Sequence, residues 1–270
     1  MKSLLTFVIP TKNRVGSLKK IINTLSEIKE INIIIVDDGS GIKNSLKIKK
    51  HLLKTPNVKY HHFKESYGQS YACNKGLKLT NTDYVWFFDD DDFVSKISIR
   101  DVLNLIKNRN IQGLLLPMKI IFNNFTLKII YPGNKRHDFD NLRSKGQLVN
   151  TSCAVFKTSI IRDINGWDNS LFSGTDTDLF LRFSRVASFT CIKTNPVEVN
   201  FSNSDKVTFS FFRAQKGKID LLFKHWKILT FKRRLYYFVS FFLFFPFFRI
   251  IKFKLISIIS MFKNFNYKKI

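Results

Sequence analysis

Paired cysteines are missing from this chain. Its three, Cys73, Cys153 and Cys191, stand far apart with no C-x-x-C pair, which argues against a disulfide scaffold or a zinc module and points to a reducing cytoplasm. Acids are scarce: 20 Asp and Glu face 45 Lys and Arg, for a formal charge of +25. Glycine (11) and proline (6) are few while 44% of the residues are hydrophobic, so a disordered or low-complexity chain is excluded. No G-x-x-x-x-G-K-[ST] loop occurs, which argues against a P-loop nucleotidase, and no internal repeat is found. An export signal is not expected either. Leu4–Pro10 is apolar but short, and Thr-Lys-Asn-Arg follows it where a cleavage site would need small residues.

What is present is unevenly spread. Residues 206–270 hold 15 Lys/Arg and one acid, Asp220, whereas the first 205 residues carry 30 basic and 19 acidic side chains. The tail also has the densest Phe clusters. This shift in composition places a boundary near Asn200–Lys206, dividing a domain over 1–205 from a basic, Phe-rich helical tail over 206–270.

Along the first 120 residues two periods alternate. Leu4–Ile9, Ile31–Val36, Val58–Phe63 and Tyr84–Phe88 are short apolar runs of the kind buried strands require. Between them lie segments with helical spacing, such as Val15, Leu18, Ile21, Ile22, Leu25 and Ile28. The alternation predicts βαβ units and a parallel sheet covered on both faces. Farther on, Gly113–Ile121 and Leu127–Tyr131 read as strands, Pro132–Gly146 as a polar loop and Asp176–Val186 as a helix.

Ligands of open α/β sheets lie beyond the carboxyl ends of the strands, which directs attention to three places. Pro10-Thr11-Lys12-Asn13-Arg14 follows the first strand and Asp37-Asp38-Gly39-Ser40 the second. Each can simply cap a helix; together they set hydroxyl, amide and carboxylate groups on adjacent strand ends, where a nucleoside can be held. The fourth strand runs into Asp89-Asp90-Asp91-Asp92. Four neighbouring carboxylates repel one another, and such a run is ordinarily a solvated loop. A divalent cation shared with substrate phosphates would relieve the repulsion. In an extended chain Asp89 and Asp91 point one way, Asp90 and Asp92 the other. Lastly, Ser173-Gly174-Thr175-Asp176-Thr177-Asp178 leads into a helix. Its acids either cap that helix or present a general base to an incoming hydroxyl.

These residues resemble the inverting family 2 glycosyltransferases of the GT-A fold, of the bacterial surface-polysaccharide type. The resemblance rests on five stretches in the same order: Phe7 to Arg14, Ile33 to Ser40, Gly68 to Gly76, Phe87 to Asp92, and Gly174 to Leu179 through Arg182. It covers roughly residues 1–205 and implies an α/β mixed sheet flanked by helices, with the tail as a membrane-seeking appendage. It implies donor contacts from Pro10, Thr11, Asn13, Arg14, Asp38, Gly68, Ser70, Asn74, Asp89 and Asp90. It also implies Mg²⁺ or Mn²⁺ on Asp91, and Asp176 as the base that deprotonates an acceptor hydroxyl. The donor it implies is a nucleotide-diphosphate sugar, with a UDP-sugar favoured. The chain departs from the family at Cys73, where many relatives have Arg, at Thr175, where Glu is usual, and at Asn203, near where His often stands. These departures motivate the competing reading, a catalytically inactive sugar-nucleotide-binding protein. Absence of Gln-x-x-Arg-Trp, the mark of processive synthases, favours transfer of one or a few sugars.

Leu235–Phe248 is an uncharged 14-residue run interrupted by Pro246, and Leu255–Phe262 is apolar again beyond Arg249, Lys252 and Lys254. A spanning helix needs about 20 apolar residues. The tail is therefore expected to lie in the interface of an anionic membrane, the alternative being that it packs on the catalytic domain. The expected acceptor is a lipid-linked oligosaccharide or glycolipid at the inner face of the cell membrane. A nucleic-acid-binding basic protein is the competing reading from another class, since a charge of +25 suits a polyphosphate partner. Against it, the basic residues are interleaved with bulky aliphatic ones and no recognised RNA or DNA motif occurs, so nucleic acid is not an expected partner.

Overall fold

The computed structural model describes residues 3–53, 55, 57–133, 138–201 and 211–242. Its first half is built by four strands, β1 (Leu5–Thr11), β2 (Ile31–Asp37), β3 (Val58–His62) and β4 (Tyr84–Phe87), linked by helices α1 (Val15–Ser26), α2 (Ile42–Leu52) and α3 (Gln69–Leu79). These four strands are parallel and stand in the order β3-β2-β1-β4. Every residue of β1 is buried, as a central strand covered on both faces must be. Helix α1 turns Leu18, Ile21, Ile22 and Leu25 inward, the stripe its spacing predicts. Phe7 stacks on Trp86 at 4.7 Å between ring centroids and meets Phe88 edge-on at 5.8 Å, forming an apolar floor under the strand ends.

Helix α4 (Lys96–Asn108) follows, and then the topology departs from simple alternation. The stretch expected to be one strand over Gly113–Ile121 is two: β5 (Gly113–Leu115) belongs to the large sheet and β6 (Met118–Phe122) to a small one. Pro117 is the reason, since it has no N–H to continue a ladder. β6 and β7 (Phe125–Ile130) form a hairpin closed by Asn123 and Asn124, both at positive φ (47° and 67°), as a two-residue turn of matching twist requires. The expected loop over Pro132–Gly146 contains a helix, α5 (Phe139–Lys145), capped by the Asp138 carboxylate and ended by Gly146 at φ 79°.

Strand β8 (Ala154–Lys157) enters the large sheet antiparallel to both β4 and β5, and β9 (Phe189–Cys191) completes it. The seven strands run β3-β2-β1-β4-β8-β5-β9, a mixed sheet. β10 (Val197–Asn200) joins β6 and β7 in the small sheet, and Glu198 exchanges backbone hydrogen bonds with Phe93 (2.8 and 2.9 Å), tying that sheet to the acidic turn. Helices α6 (Thr158–Asp163) and α7 (Thr175–Ser184) pack on the large sheet, α6 against β8 and α7 through Phe180 and Phe183 against Phe156 of β8 and Phe189 of β9. Apart from Asn200 and Phe201, the expected boundary near Asn200–Lys206 lies outside the described residues, as do Asn203 and everything beyond residue 242.

Two helices of the tail are described, α8 (Phe211–Lys224) and α9 (Phe231–Phe242), and they pack on the main hydrophobic core. Leu221, Leu222, Leu229 and Tyr237 join the main hydrophobic cluster. Each buried Leu contributes about 1.5–3 kcal/mol relative to exposure. Fully buried Asp178 of α7 is matched by Arg182 (2.7 Å), Lys224 (2.6 Å) and His225 (2.8 Å). Lys224 also reaches Asp168. Among the described residues no helix is long and apolar enough to cross a membrane.

Candidate active site

The three strand ends meet as the parallel register dictates. Thr11 lies opposite Asp37, and the Asp38 N–H donates to the Thr11 carbonyl at 2.8 Å. Thr11 also donates its hydroxyl to Asp90 Oδ2 at 2.6 Å, while Arg14 Nη1 reaches Asp90 Oδ1 at 3.0 Å and Asp91 Oδ2 at 3.2 Å. Burial raises the Asp90 pKa; the hydrogen bond from Thr11 and the charge of Arg14 oppose the rise without cancelling it. Burial also works against the charge of Arg14, but Asp90, Asp91 and Asp89 outweigh it and raise its pKa.

The acidic run does not alternate as an extended chain would. The chain turns at Asp90 and Asp91, and the Asp92 N–H donates to the Asp89 carbonyl at 3.2 Å. Asp92 therefore joins Asp89 and Asp91, whose carboxylate oxygens gather within 4.8 Å of one another, and Asp90 alone faces Thr11. The set carries hard oxygen donors of the kind Mg²⁺ and Mn²⁺ take. Gln69 holds Asp89 Oδ1 at 2.8 Å, and the Asp89 N–H donates to the Ser152 hydroxyl at 3.1 Å. The Asn200 N–H donates to Asp92 Oδ1 at 3.0 Å. Ser152 and Asn200 had no signal in the sequence, because each arrives on a different, distant element.

Several expected donor residues serve to fix loops. Asp38 accepts from the Ser66 hydroxyl (2.6 Å) and the N–H groups of Tyr67 (2.7 Å) and Gly68 (3.0 Å). It thereby sets the approach to α3, where Gly68 sits at φ 99° and Ser70 is buried in the first turn. Asn13, at φ 58°, accepts from the Gly41 N–H and the Asn44 amide at 3.0 Å each, locking the first strand-end loop to the second. Pro10 is buried inside β1. Asn74 exchanges hydrogen bonds of 2.8 Å with the backbone N–H and carbonyl of Trp167, so its amide serves the Gly166–Trp167 turn. Cys73 is fully buried, and burial pushes its thiol pKa well up. It packs in the core.

Asp176 stands in the first turn of α7, after Gly174 at φ 75°. Gln147 donates to its Oδ2 at 2.6 Å, and the Thr177 N–H to its Oδ1 at 2.9 Å. It opens on a cleft of about 250 Å³ whose other walls include Leu221 of α8 and Arg233, Tyr236 and Tyr237 of α9. Arg233 stacks on both tyrosines (4.8 and 4.6 Å) and donates to the Lys145 carbonyl at 3.0 Å. Asp178, the other acid of this segment, is held far below the usual carboxylate range despite its burial, by His225, Arg182 and Lys224.

Comparison with known proteins agrees with this architecture. The pre-mycofactocin glycosyltransferase of Mycobacterium tuberculosis is 25% identical over 194 residues, 66% of this chain and 38% of that protein. The chain thus spans well under half the length of this relative. Staphylococcus aureus TarS 1–349 in complex with UDP-GlcNAc superposes with a TM-score of 0.65 at 18% identity, covering 89% of this chain and 73% of that one. The mannosyltransferase PcManGT of Pyrobaculum calidifontis, in complex with GDP-Man and Mn²⁺, gives 0.64 at 12% identity over 92% and 72%. Residues 6–164, more than half of the chain and including both strand-end loops and the acidic turn, match the model of glycosyl transferase family 2, and the chain belongs to that family.

Proposed function

We propose that this protein transfers a sugar from a nucleotide-diphosphate sugar, a UDP-sugar in the favoured case, to a hydroxyl of a glycan acceptor with inversion at the anomeric carbon. The observation that carries this reading is the division of labour among carboxylates. Asp89, Asp91 and Asp92 converge at the strand ends, while Asp176 stands apart in its own cleft. Asp90 with Thr11 and Arg14 stiffens the first site, and Asp38 with the 66–68 loop, Gly68, Ser70 and Asn13 shapes its nucleoside side. TarS, whose fold this chain shares, is known in complex with UDP-GlcNAc.

Asp91, with Asp89 and Asp92, would hold Mg²⁺ or Mn²⁺. When bound, such an ion supplies positive charge to the departing diphosphate. Asp176 accepts the proton of the acceptor hydroxyl as that oxygen bonds to the anomeric carbon and the bond to the diphosphate breaks. Gln147 and the Thr177 N–H each occupy one oxygen of Asp176, so its orientation is set before the acceptor arrives. The acceptor in this reading is a lipid-linked oligosaccharide or glycolipid, and the protein lies peripherally on the cytoplasmic face of the cell membrane, in surface-polysaccharide assembly.

A thermal-shift panel of nucleotide sugars with and without Mn²⁺, followed by NMR of the product's anomeric centre, tests this reading. Stabilisation by at least one donor and an inverted linkage are expected; no response to any donor, or retained configuration, overturns it.

A further inference from the structure

We infer that the outward face of α9 is a lipid-docking surface that holds the Asp176 cleft about one helix diameter from an anionic membrane. This rests on the reading of a lipid-linked acceptor and names the part of the described protein that meets the bilayer.

Helix α9 is amphipathic in the unusual sense. It buries Tyr237 and Ser240, yet exposes Phe231 (77%), Leu235 (48%) and Val239 (38%). At about 100° per residue, these three positions spaced by four lie within an arc of roughly 80°. Lys232 borders the stripe on one side and Arg234 on the other. An apolar stripe flanked by cations is the arrangement of an interfacial helix, with aliphatic and aromatic groups in the acyl boundary and Lys and Arg among the headgroups.

The surface extends beyond one helix. Arg234 stacks on Trp226 at 4.9 Å, and Trp226 is itself 47% exposed, whereas Trp86 and Trp167 are buried. Charge selects the occupant. Residues 206–270 carry 15 Lys/Arg against one acid, and the 28 residues after α9 add six cations and no acid. An acidic lipid surface complements that balance, and a second copy of the same basic chain does not.

The same helix reaches the reaction site. Arg233, Tyr236 and Tyr237 wall the cleft that holds Asp176. On the same count these three stand about 140–240° from Phe231, on the side of the helix away from the stripe. With the stripe in the bilayer interface the cleft therefore stands about one helix diameter, roughly 10 Å, from the headgroup layer, within reach of the glycan of a lipid-linked acceptor. Soluble acceptors gain nothing from this placement.

Cosedimentation of the full chain with phosphatidylcholine vesicles containing 30% phosphatidylglycerol, read together with tryptophan emission, tests the inference. Binding with a blue shift from Trp226 is expected. Phe231→Ser/Leu235→Ser is expected to weaken binding roughly tenfold or more through lost apolar burial. Lys227, exposed beside Trp226, and Lys232 supply the charge. Lys227→Ala/Lys232→Ala is expected to weaken binding about 25-fold on anionic vesicles and little on neutral ones, since each surface cation is worth about fivefold. Neither double variant should change the thermal shift given by the donor, which separates failure of this surface from failure of the transferase reading. Unchanged vesicle binding in both variants overturns the proposal and leaves the face to another part of the chain. A dimer in light scattering that Phe231→Ser/Leu235→Ser converts to monomer, with vesicle binding intact, overturns it in favour of a second copy.

Discussion

Gln147 donates a 2.6 Å hydrogen bond from Nε2 to Oδ2 of Asp176, across 29 positions of sequence. Gly146 stands immediately before it at φ 79°, in the left-handed region that favours glycine. A Cβ there would come within 2.3 Å of the Arg233 guanidinium. The end of α5, the start of α7 and α9 thus jointly fix one carboxylate.

If that bond orients the base, Gln147→Ala should lower kcat roughly tenfold or more, the range for a hydrogen bond to a charged group, with the donor KM unchanged. Gln147→Glu sets a second carboxylate against Asp176 and should move the acidic limb of the kcat–pH profile upward. An unmoved limb in Gln147→Glu, with full activity in Gln147→Ala, would show that the contact is only structural.

Asp176→Asn should reduce transfer by about 10²–10⁴-fold, the worth of a positioned base, while donor binding by calorimetry stays nearly intact. Retention of more than half the activity would mean that the base lies elsewhere. Asp178 is a poor substitute, because it is fully buried and its oxygens already face Arg182, Lys224 and His225.

Asp178→Asn should instead destabilise. Breaking a buried ion pair costs about 3–5 kcal/mol, which differential scanning fluorimetry would read as a marked fall in Tm. The pH dependence has a definite sign. The folded pKa of Asp178 is lowered from 3.8, so its contribution is fully present above that value and lost as pH falls below it toward the folded pKa. The wild type should lose stability steeply below about pH 4, and the variant should show a shallower slope there. Parallel slopes would remove Asp178 from the account.

Asp91→Asn and EDTA should each weaken nucleotide-sugar binding, if Asp91 holds a cation on the diphosphate. Unchanged donor affinity under both treatments removes the metal role. Arg14→Ala should weaken donor binding too, because Asp90 and Asp91 lose the cation that spans them. Here the direct readout is a titration of Mn²⁺ by electron spin resonance, with and without nucleotide.

Much of the fold is legible in the first 120 residues because buried parallel strands and amphipathic helices impose different periods. Leu5–Thr11 and Val15–Ser26 fall within two residues of the expected elements. Legibility declines after Gly113. Pro117 was a visible signal for the break between β5 and β6, but nothing nearby shows that the two halves enter different sheets. Ala154–Lys157 carries no period long enough to announce an antiparallel strand beside β4. The tail's basic, Phe-rich composition was plain, while the docking of α8 and α9 depended on single residues such as Leu221 and Tyr237.

By itself the sequence determined the parallel first half of the sheet, the family, and the presence of acids at the ends of buried strands, since hydrophobic period and local spacing are encoded within a few residues. Only the tertiary structure decided what each acid faces. The turn at Asp90 and Asp91 reverses the alternation of an extended chain and gathers Asp89, Asp91 and Asp92 while Asp90 pairs with Thr11. Two positions apart on one helix, Asp176 and Asp178 point some 160° apart. Which of them stays available and which is neutralised follows from where Gln147, Lys224 and His225 arrive. A carboxylate's chemistry depends on the charges and donors within a few ångströms, and those come from chain segments that local sequence cannot bring together.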